Sequence, residues 1–135
     1  VLEAVTQNGK VEDATTEAEL SSPFTTLETI GSMSADLTTI GGDLLVVFAA
    51  CCRSGGAKQQ ATFELQLDGT MKYTWTITLD ATATDSTPCG ITYLLQGVTA
   101  DNHTIRIQWK SASGVIYQTP ANDGGRSLSV IEFKR

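Results

Sequence analysis

The sequence predicts an all-β protein built as an antiparallel β-sandwich, and two observations lead to this class. Residues 104–109 alternate between polar and apolar side chains, which is typical of a strand that has one buried face. About eight to nine such segments follow one another, separated by turn signals at regular spacing and without a competing helical periodicity. Parallel strands would need crossover helices between them, so we expect antiparallel pairing.

Each predicted strand is bounded by residues that favour turns, mainly glycine pairs and Asp-Gly. The strongest signal is Asp68-Gly69, which predicts a two-residue hairpin because both residues tolerate the positive φ of such a turn. The predicted strands are residues 24–30, 33–39, 44–51, 62–67, 71–79, 90–96, 102–110, 115–119 and 127–133.

The first 22 residues differ in composition from the rest of the chain. They are polar and acidic, so we expect residues 1–22 to form an extended arm or linker and residues 23–135 to form the sandwich domain. The net charge is −6, and residues 1–40 hold seven acidic residues against one basic residue, which leaves eight of each sign in the rest. A chain of this charge without a basic stripe would be repelled by phosphate, so no nucleic acid is expected as a partner. The sequence has no apolar run of about 18 residues, so no membrane partner is expected either.

Two predicted strands are apolar on both faces, and this pattern indicates self-association. Residues 44–51 are almost continuously apolar, and residues 127–133 carry apolar side chains on either side. A sandwich buries only one face of each strand, so a second copy of the chain is expected to cover the other. The predicted subunit interface consists of Leu44, Val46, Phe48, Ile131 and Phe133.

The sequence offers little catalytic chemistry. His103 is the only histidine, and it is expected to be a buried or half-buried residue bonded to backbone. No nucleophile elbow, metalloprotease, phosphate-loop or dinucleotide motif is present, so no catalytic, metal or cofactor residues are predicted, and the protein is not expected to be an enzyme.

Cys51, Cys52 and Cys89 leave three alternatives open. All three are buried thiols in a reducing compartment, Cys89 forms a disulfide with one of the adjacent pair, or a cysteine bridges two chains.

Three stretches of the sequence together resemble the trimeric jelly-roll domains related to tumour necrosis factor and the complement C1q globular domain. They are residues 44–50 (LLVVFAA) after a Gly-Gly turn, residues 63–69 (FELQLDG), and a third set that joins residues 95–98, 103–109 (HTIRIQW) and 128–132 (LSVIE). Their combination is similar to domains of phage virion proteins. A collagen-like stalk and the aromatic signature of the animal domains are missing, which argues against a signalling ligand.

The resemblance implies a non-enzymatic structural protein located in the virion. It would be a homotrimeric capsid decoration (cement) protein or the head of a tail fibre of a bacteriophage, bound to other virion proteins through residues 1–22. The alternative is a receptor- or carbohydrate-binding module that recognises a host surface glycan or receptor, because loops on a rigid sandwich often carry recognition. Its predicted loop surface consists of Asp80, Asp85, Asp101, Asn102, Asn122 and Asp123.

Overall fold

The computed structural model describes residues 9–13, 20–22, 27–81, 86–118 and 126–134. Within these ranges the chain is almost entirely β-strand. The strands are β1 (Gly9–Asp13), β2 (Leu20–Ser22), β3 (Glu28–Thr38), β4 (Gly42–Ala49), β5 (Cys51–Ser54), β6 (Gln59–Leu67), β7 (Thr70–Leu79), β8 (Thr87–Pro88), β9 (Ile91–Val98), β10 (Asn102–Ser111), β11 (Ile116–Gln118) and β12 (Ser127–Phe133).

Eight of these strands form two four-stranded antiparallel sheets. The first sheet has the order β1-β12-β4-β9, and the second has the order β3-β10-β6-β7. Among the eight, the first strand pairs with the last, the second with the seventh, the third with the sixth and the fourth with the fifth. This nested pairing is the topology of a jelly roll, so the predicted antiparallel sandwich is confirmed.

A third, smaller sheet has the order β2-β11-β5-β8. Because β5 and β11 continue from the ends of β4 and β10, this sheet lies where those two strands finish.

Alternate side chains of the two large sheets form the core. On β10, Ile105, Ile107 and Trp109 are buried while their neighbours are only half-buried, which is the alternation predicted for residues 104–109. Phe48 of the first sheet packs against Phe63 of the second, with ring centroids 6.4 Å apart. Contacts of this kind between large side chains hold the two layers together.

The hairpin between β6 and β7 has the predicted two-residue turn. Asp68 and Gly69 have φ values of 52° and 78°, and Leu67 lies opposite Thr70 across the turn. Positive φ at both central positions matches the right-handed twist of the flanking strands.

The predicted boundary between residues 22 and 23 is wrong. Gly9–Asp13 forms the edge strand of the first sheet, with Lys10 opposite Val130, and Leu20–Ser22 pairs with β11. Both segments belong to the domain through backbone pairing. Hydropathy does not reveal backbone hydrogen bonding, so a short polar edge strand cannot be distinguished from a linker by its composition.

Gly42 is required by a close approach of two backbones. A Cβ atom at this position would overlap the carbonyl oxygen of Phe133 and lie 3.2 Å from the Cα atom of Lys134. Neither obstacle is a flexible side chain, so the strands would have to move apart.

We expect Gly42→Ala to lower the free energy of unfolding by about 2–3 kcal/mol, because the added methyl group overpacks two backbone segments. Gly97→Ala is the matched control, since Gly97 has φ +66° but open space around its Cα atom. Its expected cost is only ~1 kcal/mol of backbone strain. Urea unfolding of both variants measures the difference, and equal losses would contradict the steric explanation.

Candidate interaction surfaces

The outer face of the first sheet carries a row of apolar side chains. Ile131 of β12 lies opposite Leu45 of β4, and Leu45 lies opposite Leu94 of β9. Leu94 is 40% exposed, and the other two are half-buried. We call these three residues the apolar row. It crosses three neighbouring strands without a charged side chain between them.

Further apolar surface adjoins the apolar row. Val47 of β4 points to the same face, and Phe133 of β12 is half-buried two positions beyond Ile131. Val47 also lines an open depression of about 530 Å³, together with Cys51, Pro88 and other residues at the end of β4. The outer face of the first sheet therefore combines aliphatic side chains with a shallow recess.

The outer face of the second sheet has the opposite character. The side-chain amide of Gln66 donates to Glu64 at 2.7 Å and to Gln108 at 3.0 Å. The hydroxyl groups of Thr62 and Thr76 lie 3.1 Å apart across β6 and β7. These polar side chains bond to one another and face water, so the two outer faces of the sandwich are chemically distinct.

The predicted interface residues Leu44, Val46 and Phe48 lie in the core of the single chain, where they are 0%, 0% and 1% exposed. Their assignment to a subunit interface is wrong. In a continuous apolar run both faces of the strand have the same hydropathy, so the sequence does not show which face is buried. A shift of one residue exchanges the two faces. Ile131 and Phe133 are half-buried on the outer side of the first sheet, so their place in a subunit interface stays a prediction. Sequence reasoning missed Leu45, Val47 and Leu94.

The three described residues of the predicted loop surface do not lie together. Asp80 follows β7, and its carbonyl oxygen accepts a hydrogen bond from Ser54 Oγ at 2.6 Å. Asp101 and Asn102 lie at the start of β10, at the opposite end of the sandwich. A ten-residue strand spans roughly 30 Å, which separates the two groups. Asp85, Asn122 and Asp123 lie outside the described residues.

Asp101 and Asn102 serve the turn that they occupy. The Thr39 amide donates to the Asp101 carbonyl at 2.8 Å, and the Asn102 amide donates to Asp101 Oδ1 at 2.7 Å. Thr38 Oγ1 donates to Asn102 Oδ1 at 2.6 Å. Asp and Asn side chains commonly form local hydrogen bonds of this type in turns.

An ion pair joins the β6–β7 turn to the start of β10. Asp68 Oδ2 lies 2.7 Å from His103 Nδ1, and Asp68 Oδ1 accepts from the Thr104 amide at 2.8 Å. His103 Nε2 lies 3.0 Å from the Thr99 carbonyl oxygen. Both ring nitrogens thus face oxygen acceptors, and only the protonated ring donates from both nitrogens. His103 is 8% exposed and bonded to backbone, in agreement with the sequence analysis.

The surroundings shift both pKa values in the direction that keeps the pair charged. Burial of the imidazole opposes protonation, but the hydrogen bonds to Asp68 and Thr99 and the charges of Asp68 and Asp101 outweigh it and raise the pKa of His103 above 6.5. For Asp68, burial is outweighed by the Thr104 amide, by His103 and by the charge of Lys72, which lower the pKa of the carboxyl below 3.8.

A second depression, of about 450 Å³, lies beside this ion pair. Lys72, Tyr93, Gln96 and His103 are among the residues that line it. Tyr93 stacks on Tyr73 across the open side of the sandwich, with ring centroids 4.9 Å apart, and Tyr73 is 41% exposed. The sequence did not point to this site, because its residues come from β7, β9 and β10 and meet only through the sheet order.

The described part of the chain holds no cluster of three or more His, Cys, Asp or Glu residues able to bind a metal ion. In the same part, no helix has the length and apolar character needed to cross a membrane.

Comparison with solved structures finds a similar fold in proteins of low sequence identity to this chain. A chain in a structure of infectious bursal disease virus, Gx strain, matches 97% of this chain with a TM-score of 0.55 and 13% identity. A crystal structure of dimeric latent PorU from Porphyromonas gingivalis matches 95% of it with a TM-score of 0.55 and 9% identity. This chain spans only 37% and 13% of those two chains.

At these identities the similarity establishes the fold alone. One of the two matched chains is part of a virus structure. No protein-family profile matches the sequence, and no curated protein sequence matches it.

We expect the stability of the protein to depend on pH through His103 and Asp68. The contribution of His103 is fully present below about pH 6.5 and is lost as pH rises through its raised pKa. That of Asp68 is present above its ordinary pKa and is lost as pH falls through the lowered one. The free energy of unfolding, measured with urea between pH 5 and 9, should therefore decrease as the pH rises from about 6.5 through the raised pKa of His103.

His103→Gln should remove this alkaline decline. Asp68→Asn is the matched control, because asparagine tolerates the left-handed backbone of the turn but lacks the charge. In that variant the NMR titration of the single histidine should shift back towards its ordinary pKa. An unchanged histidine titration would contradict the role of the ion pair.

Proposed function

We propose that this chain is a non-enzymatic structural domain of a virion. Its jelly-roll body would assemble as a homotrimer, as a capsid decoration (cement) protein or the head of a tail fibre of a bacteriophage. The fold that it shares with a chain of infectious bursal disease virus supports a viral structural role. The resemblance in residues 44–50, 63–69, 95–98, 103–109 and 128–132 supports the trimer and the phage origin.

The apolar row carries this proposal. Monomeric proteins rarely leave contiguous apolar strips on a sheet face, because such strips gain free energy when they leave water. Ile131, Leu45 and Leu94 lie side by side on three paired strands, whereas the outer face of the second sheet is polar. Among the described residues, the outer face of the first sheet is thus better suited to association, because the exposed Met71 of the second sheet lies beside the polar Gln66.

A second copy of the chain is the occupant that best fits this face. The residues opposite Val47 on either side are Ser129 and Thr92, which are small and uncharged, so the face carries no charge pattern that would select a charged partner. Identical copies that repeat the same contact form a closed ring of three when each copy is rotated by one third of a turn from its neighbour.

Contact with other virion proteins through the N-terminal residues belongs to the same proposal, and a truncation of the chain tests it. Deletion of residues 1–22 would also remove β1 and β2, so loss of particle binding would not separate attachment from misfolding. Deletion of residues 1–8 leaves both strands in place. Retained particle binding by that variant would contradict attachment through those residues.

A second candidate function is recognition of a host surface glycan or receptor. The observation that favours it is the depression of about 450 Å³, where the Tyr93 ring lies near the polar groups of Lys72 and Gln96. Sugars bind to sites that combine aromatic faces with hydrogen-bonding side chains, and this site has both.

If the chain binds glycans at this depression, Lys72→Ala and Gln96→Ala should each weaken binding on a glycan array by about tenfold, since each removes one hydrogen-bonding group. Lys58→Ala is the matched control, because Lys58 is exposed near the other end of β6. Binding that all three variants retain in full would exclude this site.

We expect the purified protein to have the mass of three chains in light scattering, and Leu94→Lys to reduce it to the mass of one. The substitution places a charge in the apolar row at a residue that is already 40% exposed, so the fold should tolerate it. Thr78→Lys is the matched control, since it adds the same charge on exposed β7 of the second sheet. A monomeric wild-type protein, or a Leu94→Lys variant that stays trimeric, would contradict the proposed interface.

A further inference from the structure

Two cysteine side chains meet inside the domain. Cys52 of β5 and Cys89 are 0% and 1% exposed, and their Sγ atoms lie 2.9 Å apart. A disulfide bond joins sulfur atoms at about 2.05 Å, so a movement of less than about 1 Å would close one here.

The backbone around this pair is fixed on both sides. Cys52 lies opposite Thr87 in the short pairing of β5 with β8, and Cys89 comes two positions after Thr87, so both side chains reach the same face. The Cys89 amide donates to the Ala50 carbonyl at 2.9 Å, and Trp75 Nε1 donates to the Cys89 carbonyl at 3.1 Å. These contacts hold both segments in positions that keep the two sulfur atoms 2.9 Å apart.

We propose that Cys52 and Cys89 form a disulfide that ties β5 to the segment before β9 when the protein folds in the presence of a low-molecular-weight disulfide such as oxidised glutathione. The Cys52 thiolate attacks one sulfur of glutathione disulfide and releases one glutathione thiolate. The Cys89 thiolate then attacks the Cys52 sulfur of the mixed disulfide and releases the second glutathione. Two protein thiols are oxidised, and one glutathione disulfide is reduced to two glutathione molecules.

Cys51 is the wrong partner for Cys89. It lies opposite Pro88, its side chain points to the other face of β5, and it lines the open depression near Val47. Adjacent residues of a strand face opposite sides, so Cys51 cannot reach Cys89 while Cys52 holds its place. The three cysteines are thiols in this structure, and its geometry favours Cys52 over Cys51 as the partner of Cys89, independently of the proposed virion role.

The bridge should form during folding and not in the folded, reduced protein. The hydrogen bond with Cys52 and burial both raise the pKa of Cys89 well above 9.0, so its thiolate is scarce once the domain is packed. Thiolates attack disulfides and thiols do not, so oxidation of the folded form is slow. This makes the disulfide a structural bond rather than a reactive redox centre.

The experiment is refolding of the denatured, reduced chain in a glutathione redox buffer, followed by thiol titration in denaturant. The wild-type chain has three cysteines and should retain one thiol per chain, with a monomer band on a non-reducing denaturing gel. Reduction of the refolded protein should lower its melting temperature by roughly 10 °C, because the bridge closes a long loop.

Variants identify the partners. Cys51→Ser should retain no thiol, because the Cys52–Cys89 bridge still forms, and it should melt at the wild-type temperature. Cys52→Ala should retain both remaining thiols and melt like the reduced wild-type protein, with circular dichroism as the check that it folds. Each of three outcomes would overturn the proposal: three thiols in the refolded wild-type protein, a bridge that survives in Cys52→Ala, or a disulfide-linked dimer. If Cys52→Ala does not fold, the thiol counts of the wild-type protein and of Cys51→Ser decide the question.

Discussion

Phe48 of the first sheet packs against Phe63 and Trp75 of the second, with ring centroids 6.4 Å and 6.3 Å away, and this contact between layers determines the rest of the surface. Strand side chains alternate with a period of two, so burial of Phe48 also turns Leu44 and Val46 inward. Leu45 and Val47 must then point outward. The apolar outer face is therefore a consequence of how the core is packed.

The fold class and several elements were predictable because their signals are local. Residues 104–109 alternate cleanly between polar and apolar side chains, and the Asp68-Gly69 turn encodes its own geometry, so both were confirmed. The face of residues 44–50 was not predictable, because an apolar run gives either face the same hydropathy. The strand Gly9–Asp13 was missed for a different reason: its partner, β12, is at the other end of the chain.

The candidate sites depend on the same long-range pairing. Asp68 of the β6–β7 turn and His103 of β10 are 35 positions apart in the sequence, and they meet because β6 and β10 are neighbours in one sheet. Cys52 and Cys89 meet through the pairing of β5 with β8. By contrast, Asp80 and Asp101 look equivalent in the sequence but lie at opposite ends of the sandwich. Spacing along the chain carries no information about such distances.

The pairing of β1 with β12 has a consequence for biosynthesis. During translation Gly9–Asp13 leaves the ribosome before every other described strand, but β12, which completes its hydrogen bonds, is the last of them to be made. The β6–β7 hairpin, whose strands are adjacent in sequence, can form first, and the outer pairs then close around it in order. Topologies dominated by such distant contacts fold slowly, so the nascent chain exposes its unpaired strands to chaperones and to other nascent chains until β12 has been made.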